Sequence, residues 1–158
     1  MKYLPLVLLL GFFFACNSDT TVLQAKVDSL NKQLAQTYKP GLGEFMSVIQ
    51  VHHAKIYFAG KNENWPLADF EIGEIKESIE GINKFCTDRP EIKSLPIIYP
   101  ALDSVNNAIK SKNSLRFEKS FVLLTNSCNS CHQTTNHAFN VIKVPEIPPF
   151  SNQDFKVK

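Results

Sequence analysis

The chain has no run of basic residues. Its 17 Lys and Arg are scattered among 15 Asp and Glu, and the formal net charge of +2 at pH 7 supplies no field for holding a polyanion. Nucleic acid is therefore not an expected partner. No stretch alternates apolar and polar residues with the turn spacing of a sheet, which excludes a β architecture. There is no nucleophile paired with a base, no constellation of carboxylates and no phosphate-cradling loop, so an enzyme is not expected. The apolar run Leu4 to Ala15 is too short to cross a bilayer as a stable helix. Cysteine is scarce, four in 158 residues, and most of the functional reading rests on where those four stand.

The chain opens MKYLPLVLLLGFFFACNSDT, one lysine followed by a short apolar core and a small residue, which is the pattern of a signal peptide. Phe13-Phe14-Ala15-Cys16 resembles the lipobox of bacterial lipoproteins, in which the cysteine is acylated and becomes the mature N-terminus. The alternative is a plain secretory signal with an incidental cysteine, and under either the protein leaves the cytoplasm. The expected organisation is a lipoprotein signal over 1–15, a tether over 16–40 and a single domain over 41–158, of ordinary domain size. The expected location is the periplasm or outer cell surface, with a membrane anchor through lipid on Cys16. Removing Lys2 with the signal lowers the formal charge to +1.

Within the tether Leu23, Val27, Leu30 and Leu34 are spaced four, three and four apart, as in a two-helix seam. So short a seam suits an amphipathic linker helix packing on its own domain, with a homo-oligomerising stalk as the alternative. Lys39-Pro40-Gly41 ends it. Four helical segments then follow. The first runs from about Leu42 to Ala59, with Leu42, Phe45, Met46, Ile49 and Ile56 on one face and Gly60 as its C-terminal cap. The second has Asn64 as N-cap, Pro66 in its first turn and Leu67, Phe70, Ile75, Ile79 and Ile82 inward. The third follows Pro100 with Leu102, Val105 and Ile109 inward. The fourth takes Ser114 as N-cap and places Phe117, Phe121, Leu124, Cys128 and Cys131 along one stripe. The expected fold is all-α, an antiparallel four-helix bundle with a helical tether and an irregular tail, since Pro145, Pro148 and Pro149 forbid a fifth helix.

Cys128-Asn129-Ser130-Cys131-His132 admits three chemistries. Zinc wants a closed tetrahedral set, and Cys128, Cys131, His132 and His137 make a cramped one. A thiol-disulfide site needs its pair at the start of a helix that follows a strand, where the dipole lowers the thiol pKa; this pair ends a helix in an all-helical chain. C-x-x-C-H is also the attachment signature of c-type haem. Two sulfurs reach two vinyl groups while the adjacent histidine approaches the iron, after export. One covalent haem c is the expected cofactor, with His132 as proximal ligand. Cys86, at the end of the second helix, reads as a small buried apolar residue.

A four-helix bundle ending in this motif resembles the cytochrome c-prime class. His53-Ala-Lys-Ile-Tyr-Phe-Ala-Gly60, Asn64-Trp65-x-Leu67-Ala68 and Pro148-Pro149-Phe150-Ser151-Asn152-Gln153 more closely resemble exported c-type cytochromes of environmental bacteria. The resemblance covers most of residues 40–155. It implies a monohaem cytochrome working with redox partner proteins of the envelope.

In an up-down-up-down bundle the end of the fourth helix faces the start of the first, which carries Met46, His52 and His53. His53 lies nearest the apolar face, so it is the first choice as distal iron ligand, with Met46 and His52 as alternatives; both histidines could instead flank the core and bond to backbone or propionate. His137 suits a propionate or outer-shell role. Two protein ligands imply electron transfer, whereas an open distal face implies binding of nitric oxide or carbon monoxide, as in the c-prime class. A zinc-stabilised interaction module is the non-haem alternative.

Overall fold

A computed structural model describes residues 17–37 and 39–157. The expected signal segment 1–15 and the lipidation site Cys16 lie outside the described residues. Among those described, the chain is all-helical, with five α-helices, one 3-10 segment and no strand. No helix among them is long and apolar enough to cross a membrane.

The chain divides into two compact units at Lys39 and Pro40. The first contains α1, Asn17–Ala35. Its stripe Leu23, Val27, Leu30 and Leu34 is exposed, between 40% and 65% of each residue.

The second unit contains α2 (Leu42–Lys61), α3 (Trp65–Phe85), the 3-10 segment Pro90–Ile98, α4 (Tyr99–Lys110) and α5 (Ser114–Thr134). α2 starts where Gly41 breaks the chain, and the Glu44 carboxylate reaches back to accept the Gly41 N–H at 2.8 Å. α3 starts as the sequence predicts: Asn64 Oδ1 accepts from the Leu67 N–H at 3.3 Å, and Pro66 occupies the first turn, where a missing N–H costs nothing. α5 is capped one residue earlier than predicted. Asn113 Oδ1 accepts from the Arg116 N–H at 2.9 Å, and Ser114, expected as cap, instead donates its hydroxyl to Glu63.

Each helix of this unit packs mainly on two others. Phe45 of α2 packs on the Cα of Gly81 and stacks 6.5 Å from Phe85 of α3. α3 meets α4 through Lys76 and Asn106, and α4 meets α5 through the hydroxyls of Ser104 and Ser120, 2.8 Å apart. α5 returns to α2, where Phe121 lies 5.0 Å from the Tyr57 ring. Phe117, Phe121, Ile56, Ile72, Ile75 and Ile82 are fully buried at the centre, each worth roughly 1.5–3 kcal/mol of transfer free energy.

Two expectations fail here for packing reasons. Gly60 does not cap α2, which runs to Lys61 and ends on Asn62. A Cβ at Gly60 would stand 2.2 Å from the Phe117 ring, so the residue is small because α2 and α5 touch there. Phe70 is not in the α3 core but 58% exposed; the inward position belongs to its neighbour Glu71, 1% exposed. The tail is irregular, as expected, but it is tied down by Phe155, which is buried 5.7 Å from Phe58, with its carbonyl near Asn64.

Candidate functional site

The last turn of α5 meets the start of α2, the 3-10 segment and the first residues of the tail around a cleft of about 320 Å³. That volume lies within the range of small-molecule and cofactor sites, roughly 300–1,000 Å³. Met46, Ile49, Ile79, Leu95 and Ile98 form its apolar walls, and Cys128, Cys131, His132, His53 and His137 open onto it. A second cavity, about 360 Å³, shares Gln50, His53 and Ile142 with the first and runs beneath residues 141–147 of the tail.

Cys128 and Cys131 stand three residues apart, so 100° per residue puts them on one side of α5. Both are free thiols and both are half-buried. Burial pushes the Cys128 thiol up to about 11, helped by the neighbouring Cys131, and burial likewise raises Cys131. Neither is a thiolate at neutral pH, the opposite of what disulfide exchange requires. Cys131 Sγ makes one weak contact, 3.9 Å from the Ser94 carbonyl.

His132 follows on the same turn. Its Nδ1 donates to the Asn140 carbonyl at 2.6 Å, which places the ring proton on Nδ1 and the free lone pair on Nε2. A metal-ligating histidine is usually held in this way, its other nitrogen donating to a carbonyl or carboxylate. The chain reaches back because α5 ends on Thr135 and Asn136 takes φ 63°, a left-handed turn that asparagine tolerates better than most residues. His137 donates its backbone N–H to the His132 carbonyl at 2.7 Å and its Nδ1 to the Thr135 carbonyl.

The three candidates on α2 separate clearly. His53 is 3% exposed and lines the cleft, with its ring 4.5 Å from Phe121. Desolvation by burial lowers its pKa to about 4, so it is neutral at pH 7. Its Nε2 lies 2.9 Å from Thr125 Oγ1, and that hydroxyl already donates to the Phe121 carbonyl at 3.0 Å. A hydroxyl has one proton to give, so His53 Nε2–H is the donor and the free lone pair sits on Nδ1. Met46 lines the cleft beside it.

His52 points elsewhere. Its Nδ1 meets Glu71 Oε2 at 2.5 Å, while Lys55 Nζ lies 3.3 Å from Oε1, close enough to pair charge although not aligned for a hydrogen bond. Sequence reasoning missed Glu71, yet Leu67, Glu71, Ile75 and Ile79 step by four. The signal was present in the spacing and was masked by the residue type.

Two thiols one turn apart, a histidine with Nε2 free and an apolar cleft are what a covalently held, mostly apolar macrocycle needs, so the residues fit haem. Zinc fits less well. Among the described residues no group of three or more His, Cys, Asp or Glu side chains is gathered to hold an ion, and a structural zinc site closes with four. Cys86, the remaining described cysteine, is 3% exposed at the end of α3 and far from any such role, its thiol raised chiefly by burial. No family model matches the chain, and neither does any curated protein or solved structure.

Proposed function

We propose that this is a monohaem c-type cytochrome of the cell envelope, in which Cys128 and Cys131 hold one haem c covalently, His132 is the proximal iron ligand and the function is electron transfer. One observation carries the reading: both thiols and His132 open onto one apolar cleft, with His132 held so that Nε2 has the lone pair. When bound, the haem would supply a one-electron ferric–ferrous couple.

The chain's own work is attachment, orientation and exclusion of water. Cys128 and Cys131 would hold the haem through two thioethers, a linkage that needs no oxidant. The Asn140 carbonyl fixes the His132 tautomer, and Met46, Ile49 and Leu95 keep solvent from the cleft. The pairwise neighbours of α2 to α5 support an antiparallel four-helix bundle of the c-prime kind. Export, acylation of Cys16 and redox partners in the envelope complete the proposal, with homo-oligomerisation through the exposed stripe of α1 as its looser part.

The identity of the sixth ligand divides electron transfer from gas binding. His53 remains the first choice by position. Its Nε2–H is bonded to Thr125, so only Nδ1 is free to ligate; a ring held with Nδ1 off the iron would give the second reading, an accessible distal face that takes nitric oxide or carbon monoxide.

The test is to produce the full chain with haem-attachment machinery and then denature it. Haem should stay with the polypeptide, and Cys131→Ala should lose nearly all of it while keeping its helical circular dichroism. A colourless wild-type protein purified with zinc would falsify the proposal.

A further inference from the structure

We infer that Asn129 is a positioning residue for His132, acting through the chain that follows α5; this rests on the haem reading above. Asn129 is one of the two residues between the cysteines, where spacing alone assigns it nothing. Its amide closes a clamp on a single residue of the tail: Nδ2 donates to the Ile142 carbonyl at 2.9 Å, and Oδ1 accepts from the Ile142 N–H at 2.8 Å. Two residues before Ile142 stands Asn140, whose carbonyl accepts from His132 Nδ1 at 2.6 Å.

Apolar packing does not hold Asn140 in place. Phe139 before it is 84% exposed and Val141 after it 67%, and Val144 is the next residue packed on the core. What fixes the carbonyl is polar, the Asn129 clamp on one side and the bond from the Asn140 N–H to the His137 carbonyl, 2.8 Å, on the other. The haem motif thus builds its own outer shell, since the helix turn that presents the ligand also grips the segment that orients it. Such outer-shell bonds raise ligand basicity, and losing one typically changes metal affinity or activity 10–100-fold. A more basic histidine favours ferric iron, so releasing the clamp should favour the ferrous form.

The experiment compares wild type, Asn129→Ala, Asn129→Leu and Ser130→Ala as full-length holoprotein. Ser130 is the control, because it is exposed and bonds only to the Asn126 carbonyl of its own helix; Asn129→Leu keeps volume and helix propensity should the alanine variant mature poorly. Two quantities are read, the redox midpoint and the hydrogen-exchange protection of the Ile142 amide. Both Asn129 variants should deprotect Ile142 and raise the ferrous-to-ferric ratio at fixed potential by on the order of tenfold, which is about 59 mV for one electron. Ser130→Ala should move neither. A holoprotein whose midpoint stays put in both Asn129 variants overturns the positioning role, even if Ile142 loses protection. A chain that takes up no covalent haem overturns the functional reading and this inference with it, and a protected Ile142 amide would then report a fold contact alone.

Discussion

The first three turns of α5 and its last two follow the same spacing and meet opposite fates. Phe117, Phe121 and Leu124 are at most 1% exposed, whereas Cys128 and Cys131, next on the same stripe, are half-open to a cleft. The difference lies in what faces them. The upper part is covered by helices on several sides, with Tyr57, Gly60 and His53 of α2, Trp65 of α3 and Ser104 of α4. The last two turns face a cleft that the start of α2 shares with the 3-10 segment, which carries Pro96, and with the tail. Irregular backbone fills space less completely than a helix face. A stripe at helical spacing therefore marks what points inward, and the partner decides whether inward means core or site.

Phe121→Ala is the strongest way to break that comparison. Phe121 touches His53, Tyr57 and Phe117, and truncating a buried Phe costs about 3–5 kcal/mol. Ser130→Ala in the open turn should stay within about 0.5 kcal/mol. Urea unfolding of the two variants measures the contrast. Should Phe121→Ala cost less than about 1 kcal/mol, against the several expected for a close-packed site, the upper half of α5 is not a rigid core.

Gly60→Ala sharpens the same point from the facing helix. Alanine gains about 1 kcal/mol of helix propensity over glycine, but its Cβ would stand 2.2 Å from a fully buried ring. Overpacking costs about 1–3 kcal/mol, so a net destabilisation near 1 kcal/mol is expected. Adding Phe117→Leu should recover part of it, and a double-mutant cycle reads that coupling. Additive effects would mean the two residues do not touch.

The helices were legible because their ends carry chemistry that depends on few neighbours. Asn64 with Pro66 sets the start of α3 whatever packs on it, and the Pro-rich tail could not be helical. Inner faces were legible wherever one side chain outweighed its neighbours, as with Phe117, Phe121 and Ile56. They failed where residue type and position disagree. Phe70 looks like core and Glu71 does not, yet the turn of α3 buries the carboxylate, which His52 and Lys55 then satisfy from α2, a pairing that only the fold creates. Gly60 was misread for a related reason, because a glycine demanded by a neighbouring ring has the same letter as one demanded by a left-handed turn. Cys128, Cys131, His132 and His53 line one cleft. The clamp by Asn129 and the docking of Phe155 were invisible, since both join segments whose approach no local pattern records.

Thr125 marks the boundary between the closed and open parts of α5, and Thr125→Val probes it. Valine keeps the shape and removes the hydroxyl that accepts from His53 Nε2–H. An unpaired buried donor costs about 1–3 kcal/mol; the low end is expected because the His53 ring borders the cleft and can turn toward it. The informative readout is spectroscopic. If Thr125 holds His53 away from the iron, the wild type should be high-spin and bind carbon monoxide, while Thr125→Val should shift toward low-spin and bind it more slowly. If His53 already ligates, the wild type should be low-spin, Thr125→Val should leave it so and His53→Ala should convert it to high-spin. A low-spin spectrum that survives His53→Ala and yields to Met46→Ala would move the ligand to the thioether and raise the potential. Whichever outcome holds, the hydroxyl of Thr125 lies where the closed part of α5 hands over to the open one.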